Sequence, residues 1–144
     1  MNSMVLNTLT RAVSEYSSFA FQSLTAHHGG DVTGLYALGG DTDNGRPIEA
    51  SFRTPPQLLD ATQKKALGTV YFAMRGQGEM GLTVHGAMGA WDYEFPVREG
   101  GMSRCVTGKG IRETYLAVTV RNLFGNAFCI DRIESTDVKL ARKV

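Results

Sequence analysis

Residues 76–81, Gly76-Gln77-Gly78-Glu79-Met80-Gly81, carry the G-x-G-x-x-G spacing that lets backbone N–H groups approach a pyrophosphate at a helix N-terminus. That chemistry needs a helix next. The following Leu82-Thr83-Val84-His85-Gly86 is strand-like, and no acid stands at useful spacing about twenty residues on. The segment therefore reads as a glycine-rich hairpin loop. Asp41-Thr42-Asp43-Asn44-Gly45 has the oxygen-rich opening of a calcium loop. Its third ligand would fall on Gly45, and Phe52 stands where the closing Glu belongs. It reads as a turn in which Asp and Asn side chains cap their own backbone. Gly108-Lys109-Gly110 lacks a Ser or Thr after Lys109 and has Ser103 in place of the first Gly of a P-loop.

The remaining chemistry-bearing residues are scattered. His27 and His28 are adjacent, so on a strand they face opposite ways and do not share a metal. His85 stands alone on an alternating segment, and no G-x-S-x-G elbow accompanies it. A hydrolytic site would have to assemble in space, from His85 with Asp and Ser side chains. Cys105 and Cys129 lie in apolar, strand-like surroundings. They read as buried free thiols of a reducing cytoplasm, with one bridge between them as the alternative. Arg98, Arg104, Lys109, Arg112 and Arg121 lie near Trp91 and Tyr115 and evoke an oligonucleotide face. Glu94, Glu99 and Glu113 interleave with them, and 15 Lys+Arg balance 14 Asp+Glu, so an ordinary solvated face and no nucleic-acid partner are expected. Lys139, Arg142 and Lys143 read as a solvated strand edge. No cofactor, metal or nucleotide is expected, because no candidate loop completes its ligand set.

The elements that would position these residues are strands. The chain of 144 residues is 42% apolar and 20% charged, which suits one globular domain with its own core. Glycine, 17 of 144, exceeds the usual ~7% and points to many tight turns. Ile48, Ala50 and Phe52 alternate with polar residues, as do Val70, Phe72 and Met74. Trp91, Tyr93, Phe95 and Val97 alternate with Asp92, Glu94 and Pro96. Further strands are expected over Tyr16 to Leu24, 34–38, 82–84, 103–107, Tyr115 to Arg121, Phe128 to Ile133 and Val138 to Val144. Residues 57–67 read as a crossover loop. Short strands separated by Gly, Asp and Asn turns predict an all-β, antiparallel, jelly-roll-like β-sandwich. Its expected core is Phe52, Val70, Phe72, Trp91, Tyr93, Phe95, Leu116, Val118, Val120, Phe128 and Ile130. The sandwich is assigned to residues 16–144, and residues 1–15 form a short helix or an extended arm. No secretory signal is expected at the start, and no run reaches the 18 apolar residues of a membrane span, so no membrane partner is expected.

Three segments go further. YSSFAFQSL (Tyr16 to Leu24), GLYALGGDTDNGRPIEASFRT (Gly34 to Thr54) and RETYLAVTVRNLFGNAFCIDRIE, closing on VKLARKV, occur in that order. Together they resemble a group of small tailed-bacteriophage virion proteins with a GLY-x-L-x-GDTD-x-G-x-x-I-x-A run and a basic final strand. The positions that carry the likeness include Gly34, Leu35, Tyr36, Asp41, Asp43, Gly45, Ile48 and Ala50, then Tyr115, Asn122, Gly125, Phe128, Ile130, Asp131, Ile133 and Glu134. The short loop at His27 to Thr33 and the Pro55-Pro56 insertion depart from it. The resemblance implies a non-enzymatic structural subunit, made in the host cytoplasm and placed in the virion tail or its tip. It also implies that its partners are itself and other tail proteins. A β-sandwich module for a carbohydrate or cell-surface ligand is the alternative, which an exposed Trp and Tyr on a concave face would favour.

Within residues 1–15, Met4, Val5, Leu6, Leu9 and Val13 are apolar with no charged face opposite. Such a segment gains little by facing water, so these five residues are expected to contact another chain.

Overall fold

The computed structural model describes residues 2–58, 63–108 and 110–143. The chain forms two compact units, Met1–Gly40 and Asp41–Val144. The described residues contain strands and turns and no helix, and the fold is an all-β sandwich.

The first unit holds β1 (Asn2–Leu6), β2 (Val13–Ser17), β3 (Ser23–Leu24), β4 (His28–Gly30) and β5 (Leu35–Ala37). The segment expected as a helix or arm is an extended hairpin, in which β1 and β2 pair antiparallel from Asn2↔Ser17 to Leu6↔Val13. Asn7 closes its loop, accepting hydrogen bonds from the Leu9 and Thr10 N–H groups at 2.9 and 3.1 Å. The strand expected from Tyr16 to Leu24 breaks after Ser17, where Ser18 takes a positive φ of 60°. Strands β3, β4 and β5 form a second small sheet. Tyr16, Phe19, Phe21 and Tyr36 follow one another ring to ring, at centroid spacings of 5.4, 4.8 and 5.9 Å. Gly29 has no alternative beneath this row, because a Cβ there would stand 2.5 Å from the Phe21 ring.

The second unit begins with β6 (Thr42–Asp43) and β7 (Arg46–Pro47), a hairpin whose two central residues, Asn44 and Gly45, have φ of 47° and 78°. Two positive φ values in a two-residue loop match the right-handed strand twist, and Asn-Gly meets that demand. Then come β8 (Ser51–Arg53), β9 (Gln63–Gly76), β10 (Glu79–His85), β11 (Ala90–Pro96), β12 (Met102–Val106), β13 (Arg112–Glu113), β14 (Ala117–Asn122) and β15 (Phe128–Lys143). One sheet has the order β11-β10-β14-β8. In the other, β9 pairs with β15 along one side and with β12 and β13 along the other.

The two sheets face each other across a continuous apolar core. Val70, Phe72 and Met74 of β9 and Met80, Leu82 and Val84 of β10 are buried, with Phe95, Cys105, Ile111, Leu116 and Val120. Phe72 and Phe95 stack between the sheets, with centroids 4.6 Å apart and planes 7° apart. Of the expected core, Val70, Phe72, Phe95, Leu116 and Val120 are buried, and Trp91, Tyr93, Val118, Phe128 and Ile130 are half-buried against it. Phe52 departs from the expectation at 37% exposure: the three-residue β8 ends its sheet, and no described strand pairs with its other side.

Four further expectations are corrected. The crossover loop over 57–67 gives way at Gln63, where β9 already begins; residues 59–62 lie outside the described residues. The glycine-rich segment Gly76-Gln77-Gly78 is no hairpin, since β9 and β10 belong to different sheets. It is a corner between the sheets, with φ of 148° at Gly76 and 80° at Gly78, and a Cβ at Gly76 would meet the Ala127 carbonyl at 2.7 Å. The two C-terminal strands are one, because Glu134–Asp137 stay paired with β9 through to Leu67. A bulge at Asp131 and a second at Gly68 absorb two of the three register changes, and the third falls between Lys139 and Lys143. Thr107 donates its hydroxyl to the Leu67 and Gly68 carbonyls at 2.9 Å, which satisfies the backbone at the Gly68 bulge. Finally, Cys129 is exposed rather than buried, because its position opposite Arg75 puts it on the outer face.

Candidate functional site

Most of the chemistry-bearing candidates fall among the described residues. Asp41 to Gly45 is the β6–β7 turn. His27 and His28 are exposed, and the Thr25 hydroxyl accepts the His28 N–H at 3.0 Å. Lys109 lies outside the described residues, and neighbouring Gly108 donates its N–H to the Tyr93 hydroxyl at 3.2 Å. Trp91 and Tyr93 pack partly buried against the core, so neither is the exposed aromatic that the carbohydrate-binding alternative would favour.

His85 does acquire polar neighbours. The register of β10 with β11 and β14 sets Thr83 opposite both Asp92 and Thr119. The Thr83 hydroxyl donates to Asp92, Arg121 donates to Thr83 at 2.9 Å, and Arg121 and Asp92 form an ion pair at 3.4 Å. His85 shares a hydrogen bond of 2.8 Å with the Thr119 hydroxyl. Gly81 makes the arrangement possible, since any Cβ there would stand 2.9 Å from the Arg121 side chain. The Thr83 hydroxyl bond holds the Asp92 carboxyl below its ordinary range, helped by Arg121 and His85. The group lies on the outer face of the β11-β10-β14-β8 sheet, and none of its residues lines the grooves at Met74–Gln77 or at Phe52 and Phe128. Its groups hydrogen-bond to one another. It ties three strands together, β10, β11 and β14. Among the described residues, no three His, Cys, Asp or Glu side chains come close enough to hold a metal.

Charge also occurs where sequence reasoning put none. Lys65 is fully buried, with its ammonium donating to the Gln63 and Thr114 carbonyls at 3.2 Å. Glu113, expected on a solvated face, is 5% exposed, stands directly opposite Lys65 in the register, and accepts the Met88 N–H at 3.2 Å. Gly86 leaves the space that Glu113 fills. Nothing in a single sequence marks Lys65 and Glu113, because Lys and Glu are outside by default.

The features without a partner are surfaces. In the first unit Met4, Leu6, Leu9 and Val13 are exposed, Leu9 to 93%, while Val5 is half-buried. Leu24, Val32 and Leu35 are exposed as well, and in this unit only Gly29 is buried among the described residues. In the second unit the sandwich is open along the side between β8 and β15. There Phe52, Phe128, Ile130 and Ile133 line a groove of about 400 Å³, rimmed by Asp131 and Arg132.

Set against family models, curated proteins and solved structures, the chain matches none of them.

Proposed function

We propose that this chain is a non-enzymatic structural subunit of a tailed-bacteriophage virion, working in the tail or its tip by packing against copies of itself and other tail proteins. The observation that carries the reading is the first unit. Forty residues ordinarily need disulfides, metals or a partner to stay folded. Among its described residues this unit buries no large apolar side chain, and it turns Met4, Leu6, Leu9, Val13, Leu24, Val32 and Leu35 to solvent. A neighbouring subunit would supply the missing side of its core, at ~1.5–3 kcal/mol for each large side chain fully covered, less the cost of ordering it. The motif residues agree with a scaffold role. Asn44 and Gly45 form a turn, Asn122 and Gly125 hold the β14–β15 corner, and Ile130 and Ile133 pack on the core. The test is deletion of residues 2–17, followed by melting and light scattering with and without candidate tail proteins. Retained melting with lost assembly supports the reading. Loss of the main unfolding transition would mean that the hairpin belongs to the chain's own core.

A further inference from the structure

β15 is the longest strand, at 16 residues, and it pairs with β9 on one side only. No described strand pairs with its other side. A row of unpaired N–H and C=O groups of this length is a template for another strand. The register with β9 fixes its two faces. Arg132 and Glu134 stand opposite Ala73 and Tyr71 on the outer face, while Ile133 stands opposite Phe72 and lines the groove with Phe52, Phe128 and Ile130.

The charges select the occupant. When an edge strand meets a second copy of itself antiparallel, a two-fold axis perpendicular to the sheet keeps outer faces together, so partners lie symmetrically about the central residue. Centred on Ile133, Arg132 faces the partner's Glu134 and Glu134 faces the partner's Arg132. The resulting cluster alternates in sign on the outer face, and the two Ile133 side chains meet on the groove side. A centre at 132 or 134 sets Arg on Arg or Glu on Glu. Centres at 135 and 136 leave both charges against uncharged Thr136, Val138 or Leu140. Opposite charges directly across strands stabilise and like charges destabilise.

We propose that β15 pairs antiparallel with β15 of a second copy, in the register centred on Ile133, joining two sheets into one and bringing the two Phe52/Phe128/Ile130/Ile133 grooves together. This deepens the assembly reading above and rests on it.

The experiment is sedimentation velocity over a range of concentrations on the full chain and on Arg132→Glu and Glu134→Arg, alone and mixed in equal amounts. Both side chains are exposed, 71% and 44%, so the variants should fold, and far-ultraviolet dichroism checks this. The wild type should dimerise. Each charge reversal should weaken dimerisation by roughly tenfold, because two cross-strand attractions become repulsions. Mixing should restore it, since the all-acidic pair of one variant then faces the all-basic pair of the other. Restoration in trans separates this contact from any repair of the Arg132–Glu134 pair within one chain. A wild type that stays monomeric at every concentration overturns the pairing. Association that neither reversal weakens also overturns it, while leaving the first unit as the assembly surface.

Discussion

Asn122 offers the sharpest test of how the sandwich is closed. Its side chain replaces strand pairing where β8 stops short: Nδ2 donates to the Ile48 carbonyl at 2.8 Å and to the Asn126 carbonyl at 3.1 Å, and Oδ1 accepts the Ala50 N–H at 2.9 Å. The residue is 8% exposed, so water does not readily substitute. Asn122→Ala removes three hydrogen bonds, each contributing about 1 kcal/mol net, and leaves carbonyls and an N–H without their partners. The expected loss is about 2–4 kcal/mol, or roughly 10 °C or more in the melt of a unit this size. Asn122→Asp separates hydrogen bonding from shape. It keeps the acceptor for Ala50 but turns a carboxylate oxygen toward the Ile48 and Asn126 carbonyls, so at neutral pH it should be at least as damaging as Ala. Urea unfolding of the three proteins measures this. A loss below about 0.5 kcal/mol for Ala, or a wild-type midpoint for Asp, would show that the 48–50 segment is held by something else.

Other outcomes follow from the same structure. Phe72→Ala removes a fully buried ring stacked on Phe95 and should cost about 3–5 kcal/mol in chemical denaturation. A thiol reagent should titrate one cysteine per native chain and two after unfolding, because Cys129 is exposed while burial pushes the Cys105 thiol up to about 11. Asp92 is held below its ordinary 3.8 chiefly by the Thr83 hydroxyl, so its stabilising effect is full above that value and is lost as pH falls through the lower folded one. Asp92→Asn should therefore be less stable than wild type near pH 6, with the gap closing below about pH 4 in parallel melts. A constant gap would count against the Thr83 bond as its cause.

The sandwich was legible where one strand face is buried and the other wet. Val70-Phe72-Met74 and Trp91-Tyr93-Phe95 announce their faces by simple alternation, and both pack as read. The continuity of β15 was hidden, because Glu134-Ser135-Thr136-Asp137 is polar on both parities and looks like a turn. An edge strand needs no apolar inner residue at every second position, and the Asp131 bulge shifts the phase. Lys65 and Glu113 were hidden for another reason: their burial depends on carbonyls and an N–H that only the folded register brings near. The polar set at Thr83, His85, Asp92, Thr119 and Arg121 likewise joins three strands through cross-strand pairing, which one sequence does not encode as a motif. The five apolar residues of the first hairpin were visible as a group, and four of them remain exposed in the fold.

The most direct measurement of the central claim is quantitative mass spectrometry of purified phage particles from the source culture, separated into capsid and tail fractions. The account predicts this chain in the tail fraction, at a fixed number of copies per particle. Recovery only in the soluble fraction of the lysate, with none in the particles, would contradict it.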